Sequence, residues 1–283
     1  MNVAERRKTG TGPAAWVLGH PGIFEFGCVG ACLLIYFLIR GNVVNRPAFA
    51  FLHARDVIDL EKRLGMFWEP QWQRAIHGSA MATRFWNYVY FWLHAPVIVV
   101  TAFWLFFRHR RQYHLIRNAF LVSALIGLLV YATYPVAPPR LMTASGYQEY
   151  GVTSLSSPAY GFEDTMREYS NVSYQAESLK PFVNPFAAMP SLHFGWAFLI
   201  GLAVALALRN KFGLIVAAVL PALMLGGVVM TANHFVLDAV AGLAVCCIGL
   251  LAAFALARAP DSLRRRFTPT FLRQSAPMQS GAD

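Results

Sequence analysis

The sequence predicts an all-α integral membrane protein: a six-helix bundle with an amphipathic outer-surface segment and one long outer loop. Three observations predict it. Of 283 residues, 57% are hydrophobic and 13% charged, a balance unlike that of ordinary soluble chains. The apolar residues come in blocks of about 18 or more, the length that spans a bilayer. The net charge of +10 also gathers at one end of these blocks. With the N-terminus taken as cytoplasmic, fourteen Lys and Arg lie inside against four acids and account for the whole excess, as the positive-inside rule expects. The basic balance therefore belongs to the lipid bilayer, and nucleic acid is excluded as a partner.

Residues 1–20 are polar and carry Gly10, Gly12 and Pro13, which reads as a cytoplasmic tail. The first span, about 22–40, exits near Arg40. It reads as an uncleaved anchor, because Ala48-Phe49-Ala50 lies far past the apolar run and Pro47 intervenes. Outside it, Val57, Leu60 and Leu64 share a helical face, with interfacial Phe67, Trp68 and Trp72 following. This predicts an amphipathic segment on the outer surface that turns at Gly65; a packed loop helix is the other reading.

The second span, about 85–107, opens on the aromatic belt Phe85-Trp86-Asn87-Tyr88. His94 follows Arg84 by ten residues, about 15 Å along a helix. It reads either as an interhelical hydrogen-bond partner or as a residue behind a functional site. A basic loop from Arg108 to Arg117 leads into the third span, about 115–135. Pro135-Val136-Ala137-Pro138-Pro139-Arg140 then stops the helix and holds Arg140 at the outer surface.

Residues 141–189 form the long outer loop, whose length marks a lid or specificity element; it contains the sequon Asn171-Val172-Ser173. The last spans are about 191–208, 212–231 and 235–257. Ala197, Gly201 and Ala205, and Ala241, Gly242 and Cys246, suit close helix packing. Cys28, Cys32, Cys246 and Cys247 all fall inside spans and offer no disulfide framework. Residues 21–258 thus make one membrane domain, with residues 259–283 a basic cytoplasmic tail.

Topology brings three polar stretches to one membrane face. Arg140 ends an outward span, while Pro190-Ser191-Leu192-His193 and Asn233-His234-Phe235-Val236-Leu237-Asp238 each begin an inward one. A miscount of one span would separate them by about 30 Å of hydrocarbon. Arginine offers a permanent charge and a planar fork for phosphate oxygens. A neutral histidine attacks phosphorus when its other ring nitrogen is held; Asp238, one turn on from His234, is the candidate holder. His193 is placed to protonate the leaving oxygen and later deprotonate the acceptor. Ser191 and the amides beside it add donors for an anion, and Asn233 supports the turn from behind. The sum is phosphoryl transfer through a phosphohistidine, with no metal or cofactor. Singly these residues have plainer readings: a structural His234–Asp238 pair, a helix start at Pro190-Ser191, a snorkelling Arg140. A metal set of His193, His234 and Asp238 lacks close ligand spacing.

The same residues resemble the type-2 phosphatidic acid phosphatase superfamily, whose motifs run Lys-x6-Arg-Pro, Pro-Ser-Gly-His and Ser-Arg-x5-His-x3-Asp. Leu192 stands in place of the second motif's glycine, Val228 in place of the third motif's arginine, and Ala137-Pro138-Pro139-Arg140 in place of the first motif. With Phe186-Ala187-Ala188-Met189 ahead of Pro190, these departures resemble the inositol-phosphorylceramide synthase branch, an inositolphosphotransferase. The resemblance covers about residues 55–257. It implies His234 as nucleophile, Asp238 as its orienter and His193 as general acid and base. Arg140 and Lys180 are the candidates to replace the missing phosphate-binding cation.

The expected protein is a multi-pass membrane lipid phosphatase or phosphotransferase with both termini cytoplasmic and an extracytoplasmic site. Its substrate is a phospholipid or polyprenyl phosphate, released to water or to a hydroxyl acceptor. The alternative is a non-catalytic lipid transporter or scaffold. A transporter places its polar groups near the bilayer midplane, whereas here they gather at one surface.

Overall fold

The structure is a computed structural model that describes residues 20–42, 46–155, 159–165 and 184–259. Lys180, the Asn171 sequon and nearly all of both tails lie outside the described residues. The chain divides into two compact units, residues 1–35 with 255–283, and residues 36–254. The first unit holds most of the first helix, α1 (Pro21–Asn42); none of its residues 22–35 is buried, as suits a helix whose surroundings are lipid.

The second unit is helical throughout. Its elements are α2 (Pro47–Arg63), α3 (Glu69–Ile76), α4 (Ala80–Trp92), α5 (Ala95–Arg108), α6 (Arg110–Thr133), α7 (Ala144–Glu149), α8 (Leu192–Leu208), α9 (Lys211–Met230) and α10 (Val236–Arg258), with a 3-10 turn at Pro139–Leu141. Among the described residues extended pairing is limited to one isolated bridge between Val136 and Ala187. Among the described residues four helices, α1, α6, α9 and α10, are long and apolar enough to cross a membrane; α4 and α5 pass the same test only as a pair, bent by 41°, the form of a broken span or a re-entrant loop. The expected fourth span corresponds to α8, which is apolar but 17 residues long, about 26 Å at the helical rise and short of the hydrocarbon thickness.

Two expectations about these helices are revised. The second span is not continuous. Pro96 has no amide to bond and its ring opposes the carbonyl of Trp92, so the helix breaks between Trp92 and Ala95. His94 therefore sits at a break rather than along a straight helix. In α2, Val57 is buried but Leu60 and Leu64 are exposed. The face that docks is Ala50, Phe51, Ala54, Val57, Ile58 and Glu61, packed against Val136, Leu141, Phe186 and Phe235. Periodicity identified a helix there, but only its partners decide which row of side chains is covered. The helix does end at Gly65, whose φ of +68° is a left-handed conformation suited to glycine.

α8 packs on α9, α6 and α5. Its crossing with α10 is backbone on backbone: a Cβ added at Gly195 would lie 2.7 Å from the Gly242 carbonyl oxygen. The α8–α9 crossing is similar, with Gly201 against the Ala217 backbone. Small residues make these approaches possible, and they bring the first turns of α8 and α10 together.

Candidate active site

The three polar stretches meet, and main-chain hydrogen bonds lace them together. After α6, Val136 N donates to Phe186 O (2.9 Å) and Ala188 N donates to Val136 O (3.3 Å). Arg140 N donates to Ala232 O, and Ser191 N to Asp238 O, each at 2.8 Å. The segments after α6, before α8 and before α10 are therefore tied to one another through their main chains. They line a cavity of about 760 Å3 together with Arg40, Tyr90 and His94.

His234 sits on the tight turn between α9 and α10. Its amide and that of Asn233 both donate to Val228 O (3.1 and 3.0 Å). Ala232 adopts φ +51°, a left-handed conformation costly for alanine. The ring Nδ1 lies 2.7 Å from Ala188 O. A carbonyl only accepts, so Nδ1 carries a proton, and in the neutral ring the lone pair is then on Nε2; the ring lines the cavity. Asp238 Oδ2 is farther, 3.5 Å from Nδ1, and accepts from Phe235 N at 2.8 Å. The Ala188 carbonyl thus sets the tautomer, while Asp238 caps the first turn of α10 and places negative charge behind the ring.

His193, on the first turn of α8, has its ring centre 5.6 Å from that of His234. It stacks on Tyr90 at 4.6 Å, and His94 lies 4.3 Å beyond, itself parallel to Trp196 at 5.7 Å. The break at Pro96 is what brings His94 to this row. Arg140 lines the cavity with its Nε donating to Asn233 Oδ1 (3.0 Å) and its Nη1 3.4 Å from Asp164 Oδ2. Asn233 is held in turn by its Nδ2 donating to Thr231 Oγ1 (2.8 Å).

Ser191 is placed differently from the expectation of a phosphate donor. It is fully buried, its Oγ accepts from Phe194 N to cap α8, and it does not line the cavity. Among the described residues no group of three or more His, Cys, Asp or Glu is placed to hold a metal ion.

Three functional candidates were not singled out in the sequence. Arg40, on the last turn of α1, lines the cavity. The available signal was topological: in the count of spans α1 and α6 run in the same direction, so the end of α1 shares a face with Arg140. Glu61 and Glu69 are both fully buried. Glu61 Oε1 accepts from Leu237 N and Glu69 Oε1 from Val236 N, each at 2.8 Å. With Asp238, three acidic side chains accept from the three successive amides at the start of α10, donors that have no partner within the helix. No local pattern announces this, because the acids lie more than 160 residues away in the chain.

Burial and the neighbouring Glu69 carboxyl push the Glu61 carboxyl up to about 9, against an ordinary value of 4.5. Glu61 therefore keeps its proton well above the ordinary carboxyl range. The folded protein holds that proton to higher pH than the unfolded chain. The associated stability is complete below pH 4.5, declines as pH rises and is lost once pH passes about 9. The melting temperature of the purified protein is expected to fall between pH 7 and 10, and Glu61→Gln, which keeps an acceptor for Leu237 N and a donor for Glu69, is expected to flatten that slope. A wild-type curve as flat as the variant's would refute the raised Glu61 carboxyl.

In comparisons with known proteins, the family model described as the PAP2 superfamily matches residues 55–252, which include every element of the cavity except Phe37 and Arg40. Neither a curated protein nor a solved structure matches the chain.

Proposed function

We propose a function from one premise: the chain belongs to the PAP2 superfamily, whose members are phosphatases and phosphotransferases acting on phosphate esters in a membrane setting. The proposed reaction is cleavage of a lipid phosphate ester or diester by double displacement. Nε2 of His234 attacks phosphorus, forming a P–N bond as the bond to the leaving oxygen breaks, and His193 gives that oxygen a proton. The acceptor hydroxyl then loses its proton to His193 and attacks phosphorus, breaking the P–N bond and restoring both histidines. Arg140 holds the phosphate oxygens, and Asp238 stabilises the imidazolium that forms.

The observation that carries this reading is the 2.7 Å bond from His234 Nδ1 to the Ala188 carbonyl. It prepares the nucleophilic tautomer before substrate arrives, on a ring facing the same cavity as His193 and Arg140. His94, behind His193, is a positioning residue. With the N-terminus cytoplasmic, as the basic loops favour, the site opens on the extracytoplasmic side.

The acceptor is a hydroxyl compound rather than water alone. Three features favour this inositolphosphotransferase-like reading: Phe186 to His193 as it stands, the absence of an arginine at Val228, and Arg140 in the Ala-Pro-Pro-Arg setting. The test follows free phosphate and new phosphodiester from labelled lipid phosphates and phospholipids, with and without inositol or a long-chain alcohol. A new diester that appears only with the acceptor is the expected result. Free phosphate that ignores the acceptor would make the protein a phosphatase. An acid-labile, base-stable label on the protein is expected from single-turnover trapping; its absence during active turnover would sink the phosphohistidine.

A further inference from the structure

The cavity carries a second guanidinium. Arg40 shares its lining with Arg140, His94, His193 and His234, and among the described residues no acidic side chain lines it. The Arg40 guanidinium lies 5.9 Å from the centre of the Tyr131 ring, and Tyr131 donates its hydroxyl to the Pro190 carbonyl at 2.8 Å. Arg40 therefore packs on the ring that anchors the segment leading into His193. Arg140 has Asp164 3.4 Å away, so its charge is already partly answered. A phosphate diester brings one negative charge and a monoester up to two. Val228 is wholly buried and apolar, so the position where the resemblance leads one to expect a cation supplies none.

The wall around Arg40 is otherwise apolar. Phe37, three residues earlier on the same face of α1, lines the cavity, as do Val99 and Val100 of α5. These side chains are also open to the surroundings of the bundle, Phe37 by 37%, Val99 by 52% and Val100 by 68%. Cation and apolar strip together describe an amphiphile: a phosphate at Arg40 with a hydrocarbon tail leaving past Phe37 into the bilayer.

We propose that Arg40 is a phosphate-binding residue supplied by the first helix in place of the cation absent at position 228, and that its ligand is a tail-bearing phosphate entering between α1 and α5. This rests on the proposed function for its chemistry, but its anion-binding part can be measured without turnover. The probe is inorganic orthovanadate, titrated by thermal shift against the full-length protein in detergent. Arg40→Gln is expected to weaken binding about 10- to 100-fold, the usual loss for a charge-assisted bond. Arg40→Lys, which keeps the charge but not the fork, is expected to fall between the two. Phe37→Ala is expected to leave orthovanadate affinity unchanged and raise KM for a long-chain lipid phosphate about 10-fold.

Wild-type affinity in folded Arg40→Gln, or no orthovanadate binding by the folded wild type, overturns the assignment. If Arg40→Gln does not fold, Arg40→Lys decides, and wild-type affinity in that variant overturns it equally. A KM unmoved by Phe37→Ala overturns the tail path. Loss of anion binding in Arg40→Gln, in a wild type that turns over no phosphate ester, supports Arg40 while removing the proposed reaction.

Discussion

His234→Ala is expected to lower lipid phosphate turnover by at least about 10^4-fold, with the melting temperature nearly unchanged. The scale follows from what is removed. Losing a nucleophile abolishes the covalent route, and residual rate comes only from binding and general electrostatics. The stability cost is small by comparison: the Ala188 carbonyl loses its partner, worth about 1–3 kcal/mol if it stays dry, but the cavity it borders can admit water. The pair of measurements separates the rival classes. A catalytic protein loses turnover and keeps its fold. A transporter or scaffold keeps its cellular role in His234→Ala, and that outcome, or turnover near the wild-type rate, would remove the enzyme reading.

Gly242→Ala is expected to act the other way, through structure. A Cβ there would press on the Ser191 carbonyl oxygen and lie 2.8 Å from its carbon. These are backbone atoms, which cannot rotate away. The start of α8 must shift from α10, straining the bond from Ser191 N to Asp238 O. Overpacking of this kind costs about 1–3 kcal/mol or more, and the same shift spreads His193 from His234. A displacement of about 1 Å at reacting groups can cost 10^2-fold in rate. The expected result is a melting temperature several degrees lower together with a loss of kcat exceeding any change in KM. Gly30→Ala is the control: a Cβ at Gly30 meets nothing within 4 Å, and the helix gains about 1 kcal/mol of propensity. Equal effects at the two positions would refute the close-approach account.

Much of this site was legible before any coordinates. Hydropathy blocks depend only on neighbouring residues, so they located the helices and put the ends bearing Arg140, His193 and His234 on one face. The four-residue step from His234 to Asp238 is local too, and so is the helix start at Ser191. What these signals missed involves partners distant in the chain. The sequence pointed to Asp238 as the group holding His234, whereas the nearer acceptor is the main-chain carbonyl of Ala188, and a carbonyl is present at every residue and marks none. Ser191 carried the right chemistry for an anion but is buried outside the cavity lining, where its Oγ caps α8.

By itself, then, the sequence determined the apolar helical character, most of the helical segments and which side chains are candidates for the site, because each is written in composition or in spacing of a few residues. Only the tertiary structure decided which face of α2 is covered, that His94 meets His193, that Glu61 and Glu69 hold the start of α10, and that Arg40 lines the cavity. Those outcomes depend on close approaches between segments far apart in the chain, such as Gly195 on Gly242, and local patterns carry no record of which surfaces will meet.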